Sequence, residues 1–219
     1  SSWATKNTGI KALVQYMVLD PGNKNLIYVG VPGEGAVVSS DGGSNWSARN
    51  AGLGSPLVTA LAISPVGSKT LWVSINSAVS QDLGGGFIFQ LPGIYKSTNG
   101  GSTWVLTKLP TDRFNFTAPM KLVADPVDPN GIYALGSIAG VYHSTDGGDT
   151  WTSSKAGLPD SSLGNALVID PKDPTILYLG MYVSTAGVKT LYKSMDSGAN
   201  WSIASSGLPN TQGIYDLAI

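Results

Sequence analysis

Few side chains in this sequence could do acid–base or nucleophilic chemistry. The 219 residues include no cysteine and a single histidine, His143, which excludes cysteine nucleophiles, thiolate zinc sites and histidine-rich metal sites. His143 directly precedes a serine in a strand-like segment, and we expect it to be an exposed strand residue rather than a catalyst. The sequence therefore points to no metal site and no cofactor.

Carboxylates are the remaining candidates for chemistry. A pair of them, one acting as general acid and the other as base or nucleophile, is the arrangement that glycoside hydrolysis uses. The spacing of the acids singles out no particular pair. The weak catalytic candidates are the acids on predicted connecting loops, namely Glu34, Asp82, Asp112 and Asp160.

Composition limits the class of partner. Hydrophobic residues make up 42% of the chain, charged residues only 12%, and the net charge is -1. A chain this neutral has no basic surface for nucleic acid or anionic lipid, and no run of about 18 apolar residues predicts a membrane span.

The 28 glycines and 13 prolines indicate turns between many short strands. Low charge and abundant small polar residues favour an extracellular, cell-surface or periplasmic protein.

One short pattern occurs four times along the chain. Each copy has a serine, an acid or amide two residues later, a glycine after two more, and a tryptophan seven residues after the serine. The copies are Ser39, Asp41, Gly43 and Trp46; Ser97, Asn99, Gly101 and Trp104; Ser144, Asp146, Gly148 and Trp151; and Ser194, Asp196, Gly198 and Trp201. Fixed spacing repeated in this way indicates a repeat architecture.

A second element recurs in step with the first. An apolar run ends in Asp-Pro or Ser-Pro, and an aromatic residue follows eight positions after the acid or serine; these aromatics are Tyr28, Trp72, Tyr133 and Tyr178. Proline sets a turn and does not continue a central strand. Each unit therefore reads as four strands, A to D, with the aromatic in strand B and the tryptophan in strand D. Four-stranded units of this length are typical of propeller blades.

The serine–acid–glycine–tryptophan pattern resembles the Asp-box, or BNR repeat, of sialidases, sortilin-like receptors and xyloglucan-cleaving hydrolases. The resemblance implies an all-β propeller segment with four complete blades and an orphan strand at each end. The expected boundaries are 1–8 for the last strand of a preceding blade, 9–52, 53–110, 111–157 and 158–207 for blades 1 to 4, and 208–219 for the first strand of a following blade. We expect outer and inner strands at Ser1–Lys6 and Gly213–Ile219, with the remaining blades supplied by the same polypeptide or a neighbouring chain.

The two faces of such a propeller have different roles. Strand order places the A–B and C–D turns on one face and the D–A and B–C loops on the other, where the resembling families bind and catalyse. We therefore expect the box residues and the acids of the Asp-Pro turns to be structural. Each box acid, or the amide Asn99 in its place, should accept backbone N–H groups of its own turn, and each box tryptophan should be largely buried between adjacent blades. A sialidase needs an arginine cluster for its substrate carboxylate, and this chain has only Arg49 and Arg113.

The second blade departs from the repeat by a long B–C loop, 76–92, and a long D–A connection. All four phenylalanines lie in these two segments. The predicted binding residues on this face are Asp82, Phe87, Phe89, Arg113, Phe114 and Phe116. Aromatic, charged and amide groups together could stack on a sugar or dock a protein; alternatively, the two loops pack on each other as a plug.

The sequence thus supports two functions. The first is a non-catalytic extracellular propeller segment that binds a glycan or protein ligand, or serves as a scaffold. The second, implied by the resemblance to xyloglucan-cleaving enzymes, is part of a polysaccharide hydrolase with paired acids. In that family the acids come from separate propeller domains.

Overall fold

The computed structural model describes residues 4–66, 69–76, 78–81, 87–90, 92–107, 121–136, 140–159, 163–182, 190–208 and 213–219, with the backbone alone at 78–81, 87–90 and 163. Throughout these ranges the regular elements are β-strands. Most of them form four antiparallel sheets of four strands each. Each sheet is one blade, so the prediction of four complete four-stranded units is confirmed.

The blades follow one another along the chain, and within each blade the strands A, B, C and D occur in sequence order. Blade 1 contains β1 (Tyr16–Leu19), β2 (Ile27–Val31), β3 (Gly35–Ser39) and β4 (Ser47–Ala48). Blade 2 contains β5 (Val58–Ile63), β6 (Leu71–Ile75), β9 (Gly93–Ser97) and β10 (Val105–Leu106). Blade 3 contains β11 (Lys121–Ala124), β12 (Ile132–Leu135), β13 (Val141–Ser144) and β14 (Thr152–Ser154). Blade 4 contains β15 (Leu163–Ile169), β16 (Leu177–Tyr182), β17 (Leu191–Ser194) and β18 (Ser202–Ile203).

The long B–C connection of blade 2 contains structure that the sequence reading missed. Strands β7 (Ala78–Gln81) and β8 (Phe87–Gln90) pair as a two-stranded antiparallel sheet within the segment expected to be a loop. The β-branched and aromatic residues Val79, Ile88 and Phe89 favour a strand in both arms. In the sequence, this hairpin falls between strands B and C of blade 2.

Three of the four hydrophobic clusters of the described residues join neighbouring blades, and the fourth lies on blade 1. Strand A of blade 2 uses alternate residues on its two sides: Leu61 packs in a cluster with Tyr28 of blade 1, whereas Ala60 and Ala62 pack with Leu122 of blade 3. A third cluster joins blades 3 and 4 through residues such as Tyr133 and Leu167. Each blade therefore buries its apolar faces only when its neighbours are in place.

The terminal segments differ from the expected orphan strands. Residues 4–6 form no strand, and residues 1–3 lie outside the described residues. Residues 213–219 form one antiparallel bridge, between Gly213 and Tyr182, and no strand. Ile214 nevertheless packs against Gly180 of blade 4, as Val58 of blade 2 packs against Gly30 of blade 1. The segment 213–219 takes the place of an inner strand without a ladder, because no described strand B pairs with it.

Candidate functional site

The four Asp boxes share one hydrogen-bond pattern. In the third, the Ser144 hydroxyl donates to Asp146 Oδ1 at 2.8 Å and accepts the Gly148 N–H at 2.7 Å, and Asp146 Oδ1 accepts the Thr150 N–H at 2.9 Å. Asn99 replaces the acid in the second box, and its Oδ1 accepts the Thr103 N–H at 2.9 Å. The prediction that each box acid or amide bonds its own turn is confirmed, and the turn tolerates an amide.

These hydrogen bonds lower the pKa of the box acids and so favour their ionised forms. Hydrogen bonds from Thr150 hold the pKa of Asp146 well below its usual range. Hydrogen bonds from Asn45 lower the pKa of Asp41 to about 2, and the pKa of Asp196 is lowered by the same kind of contacts from Asn200. A carboxylate stabilised in its charged form by donors in its own turn is a poor general acid, which supports a structural role.

The acids of the Asp-Pro turns are also engaged locally. Asp20 Oδ1 accepts the N–H groups of Gly22 and Asn23 at 2.8 and 2.9 Å. Asp125 and Asp170 make the equivalent bonds two and three residues ahead. Side-chain capping of this kind stabilises the turn between strands A and B.

The box tryptophans join neighbouring blades, although to different extents. Trp104 and Trp201 are buried, and their indoles donate to the carbonyls of Arg49 and Ser154 in the preceding blade at 2.8 and 3.2 Å. Trp46 and Trp151 are only half-buried, and each indole donates to a glycine carbonyl of its own box at 3.0 Å. The expectation of four largely buried tryptophans therefore holds for two of them.

A third repeated element, missed in the sequence reading, lies six residues after four of the tryptophans. A glycine followed by leucine or isoleucine occurs there in each case, at Gly9, Gly52, Gly157 and Gly207. The first three have positive φ and lie directly against the backbone carbonyl of the next box tryptophan, leaving no room for a Cβ atom. The spacing from tryptophan to glycine was visible in the sequence and predicts this contact between blades.

The strand-B aromatics dock onto the Asp box of the next blade. Trp72 Nε1 donates to the carbonyl of Gly147 at 2.9 Å, and the Tyr133 hydroxyl donates to the carbonyl of Ser197 at 3.2 Å. His143 stacks on the Tyr133 ring with centroids 4.0 Å apart. It is half-buried, so the expectation of an exposed residue was wrong. Burial lowers the pKa of His143 against an opposing effect of nearby acids, which favours a neutral ring that packs.

The weak catalytic candidates find no support as an acid pair. Glu34 Oε1 accepts the Lys11 N–H at 2.7 Å, which gives this carboxylate a structural partner. Asp82, Asp112 and Asp160 lie outside the described residues. Arg49 Nη1 donates to the carbonyl of Gly100 at 2.9 Å and so links blades 1 and 2.

The predicted binding patch on blade 2 stays a prediction. Phe87 and Phe89 belong to β8, which is described by its backbone only. The other members of the patch, Asp82, Arg113, Phe114 and Phe116, lie outside the described residues.

The described residues form a different candidate site, the channel mouth. It is a cavity of about 550 Å³ where the inner strands begin, lined by Gln15, Tyr16, Met17, Ala60, Leu61, Lys121, Leu122, Asn165 and Asp216. It opens on the face of the D–A and B–C loops, the face on which the resemblance led us to expect a binding site. Lys121 Nζ lies 3.7 Å from Asp216 Oδ1, with 34% and 86% of the two side chains exposed.

The backbone around the channel adds to its binding capacity. Strands β1, β5, β11 and β15 are the edge strands of their sheets, and one flank of an edge strand presents N–H and C=O groups that no neighbouring strand satisfies. An extended chain entering the mouth would meet these groups as well as the polar side chains.

Alignment of the units shows why the mouth residues were missed. One position of the repeat lies four residues before the acid or serine of the A–B turn. It is occupied by Tyr16, Ala60, Lys121 and Ala166 in blades 1 to 4. Asp216 precedes Leu217, the counterpart of Leu61, by one residue and thus falls on the same position. These five places on an otherwise repeated strand therefore carry four residue types of different charge and size, tyrosine, alanine, lysine and aspartate, and that variation was the available signal.

Two classes of site receive no support from the described residues. They contain no group of three or more histidines and acids placed to hold a metal ion. No helix in the described part of the chain is long and apolar enough to cross a membrane.

Repeated Asp boxes, four-stranded blades and inner strands around a channel define an Asp-box β-propeller segment. The chain belongs to the Sortilin-Vps10 family, described as sortilin, neurotensin receptor 3, whose sequence model matches residues 92–212. No curated protein matches the sequence.

Solved structures of several propeller proteins share the fold. An ancestral GH74 enzyme is 22% identical with a TM-score of 0.65, and 92% of this chain covers 25% of that one. The GH74 xyloglucanase from Xanthomonas campestris is 20% identical with a TM-score of 0.70, covering 95% of this chain and 32% of that one. YCF48 bound to D1 peptide is 11% identical with a TM-score of 0.54, covering 93% and 85%. The chain thus spans about a quarter to a third of the GH74 enzymes it resembles.

Proposed function

We propose that this segment is a non-catalytic, extracellular protein-binding propeller that holds an extended peptide at its channel mouth. The observation that carries the proposal is the combination of the Lys121–Asp216 pair with the inner strands' position at the edges of their sheets. Edge strands bind extended peptides by adding a strand, and side chains near the edge supply specificity.

The polar side chains of the mouth suit a peptide of mixed character. Asp216 is well exposed and its contact with Lys121 is long, so the pair contributes little to stability and both charges can turn to a ligand. Gln15 and Asn165 add amides that both donate and accept. The Tyr16 ring supplies apolar contact area beside them.

Catalysis is less well supported at this site. Hydrolysis of a glycosidic bond uses two carboxyl groups flanking the bond, and Asp216 is the one acid that lines the mouth cavity among the described residues. Glu34 is bonded to the Lys11 backbone, and the box acids lie in turns at the opposite end of the blades. The names of two proteins that share family or fold, a neurotensin receptor and YCF48 bound to D1 peptide, also agree with a protein ligand.

The test is selection of linear peptides from a displayed random library on the immobilised chain. We expect the selected peptides to lose at least tenfold in affinity towards Lys121→Ala and Asp216→Ala, and to bind Lys172→Ala as they bind the parent. Lys172 is the matched control because it is exposed in the A–B turn of blade 4. Peptides N-methylated at alternate backbone positions should also bind more weakly. Unchanged binding to both mouth variants would refute the site.

The blade 2 loops are the second place to look for a protein-binding surface. A Phe87→Ala/Phe114→Ala double variant tests them with the same selected peptides. Loss of binding in this variant, with full binding by the mouth variants, would move the proposed site to the loops.

A polysaccharide hydrolase remains the second candidate function, because GH74 enzymes share the fold over more than nine-tenths of this chain. Release of reducing ends from xyloglucan is the direct assay. Turnover that Glu34→Gln abolishes would favour this alternative over a binding segment.

A further inference from the structure

The channel continues from the mouth to a second, apolar cavity. This cavity has a volume of about 500 Å³ and lies where the inner strands end. Leu61, Lys121 and Leu122 line both cavities, so the two form one passage along the inner strands. Its polar groups are concentrated at the mouth.

The far part of the passage is apolar and partly open. Its lining is aliphatic apart from Lys121, and includes Ile63, Val123, Val168 and Ile219. The first three are half-buried, and Ile219 is 61% exposed. Apolar surface left in contact with water is unfavourable, and a concave apolar surface of this kind is typical of a binding site.

Lys121 stands at the entrance to this apolar stretch. It is the first residue of β11, so its side chain lines both the polar mouth and the apolar cavity. Its partner Asp216 is 86% exposed at 3.7 Å, a contact that an incoming anion can replace at small cost. A cation above an aliphatic passage complements a ligand with an anionic head and a hydrocarbon tail.

We propose that the channel binds a long-chain carboxylate. The carboxylate replaces Asp216 as the partner of Lys121, and the tail lies along Ile63, Val123 and Val168 towards Pro126. The four residues of β11, Lys121–Ala124, span about 10 Å of extended strand, and the lining continues to Pro126, so much of an extended tail can be buried. This activity goes beyond the proposed peptide binding and uses no strand edge.

The experiment is isothermal titration calorimetry of the 219-residue chain with dodecanoate below its micellar concentration. The uncharged 1-dodecanol and the short butyrate serve as comparison ligands. We expect dodecanoate to bind, butyrate to show no measurable binding, and 1-dodecanol to bind at least tenfold more weakly than dodecanoate. A negative heat-capacity change should accompany binding of the long tails.

Variants separate the head from the tail. Lys121→Met keeps the aliphatic stem and should weaken dodecanoate at least tenfold while leaving 1-dodecanol unchanged. Ile219→Asp places a charge in the exposed lining and should weaken both long ligands. Lys172→Met is the control, because Lys172 lines neither cavity, and should bind as the parent does.

Two results would overturn the proposal: no binding of dodecanoate by the folded parent chain, or equal binding by the parent and Lys121→Met. The peptide selections described above involve no fatty acid, so either ligand can fail without the other.

Discussion

Alanine substitutions of the glycines at two equivalent positions of the repeat distinguish the cost of backbone strain from the cost of disturbing a contact between blades. Gly157 and Gly207 each lie six residues after a box tryptophan and have φ of 89° and 80°. A Cβ atom at Gly157 would fall well inside contact distance of the Trp201 carbonyl oxygen, whereas a Cβ atom at Gly207 meets nothing within 4 Å. The pair therefore shares its backbone conformation and differs in its neighbour.

The expected magnitudes follow from that difference. Either alanine adopts a left-handed conformation that costs about 1–2 kcal/mol. Alanine at Gly157 must also displace the backbone of Trp201, whose N–H donates to the Ala156 carbonyl at 2.8 Å. Loss of such a hydrogen bond contributes about 1 kcal/mol, and more when the group is left buried and unpaired. We expect Gly157→Ala to lower the free energy of unfolding by about 3 kcal/mol and Gly207→Ala by about 1 kcal/mol.

Urea denaturation followed by tryptophan fluorescence measures both values. The m-value should be the same for both variants and the parent, because a change in stability alone shifts only the midpoint. Equal destabilisation by the two substitutions would show that the contact with Trp201 adds nothing, and the account of glycine as a link between blades would fail.

Three further substitutions test the Asp boxes. Ser144→Ala should lower the free energy of unfolding by about 2–3 kcal/mol, because it leaves the buried Gly148 N–H without its acceptor; exposed Ser153→Ala should change it by less than about 0.5 kcal/mol. Ser197 is the one non-glycine residue with positive φ, 55°, among the described residues, so Ser197→Gly should raise stability by about 1 kcal/mol in the same urea titration. The pKa of Asp41 is lowered to about 2 in the folded chain, so its charged form stabilises the fold above about pH 4. That contribution is lost as the pH falls towards 2, and the stability difference between the parent and Asp41→Asn, followed by acid titration, should shrink over this interval; a constant difference would contradict it.

The repeat made most of the fold predictable. The Asp boxes and the Asp-Pro elements both mark turns, and the positions of the turns determine where the strands between them lie. The same patterns identified the acids that cap their own turns. In each case the interacting groups lie within four residues of one another, so local sequence contains all of the information.

Contacts between distant residues were harder to predict. The expectation for His143 failed because its exposure depends on Tyr133, a cross-strand partner in the blade. The hairpin of β7 and β8 interrupts the repeat, so no other blade offers a template for it. The Lys121–Asp216 pair joins residues 95 positions apart by number, and only the assembled channel brings them within 3.7 Å.

The division between repeated and variable positions carries the functional argument. The box serines repeat because each accepts the N–H of its box glycine in every blade, whereas the strand-B aromatics and the glycines after the tryptophans recur at contacts between neighbouring blades. The position four residues before the acid or serine of the A–B turn lines the channel mouth in blades 1 to 3, where it is tyrosine, alanine or lysine. Because this position makes no contact common to all blades, it can carry a different residue in each of them. A ring of such positions around one opening displays several chemistries to a single ligand, which is the property that recognition requires.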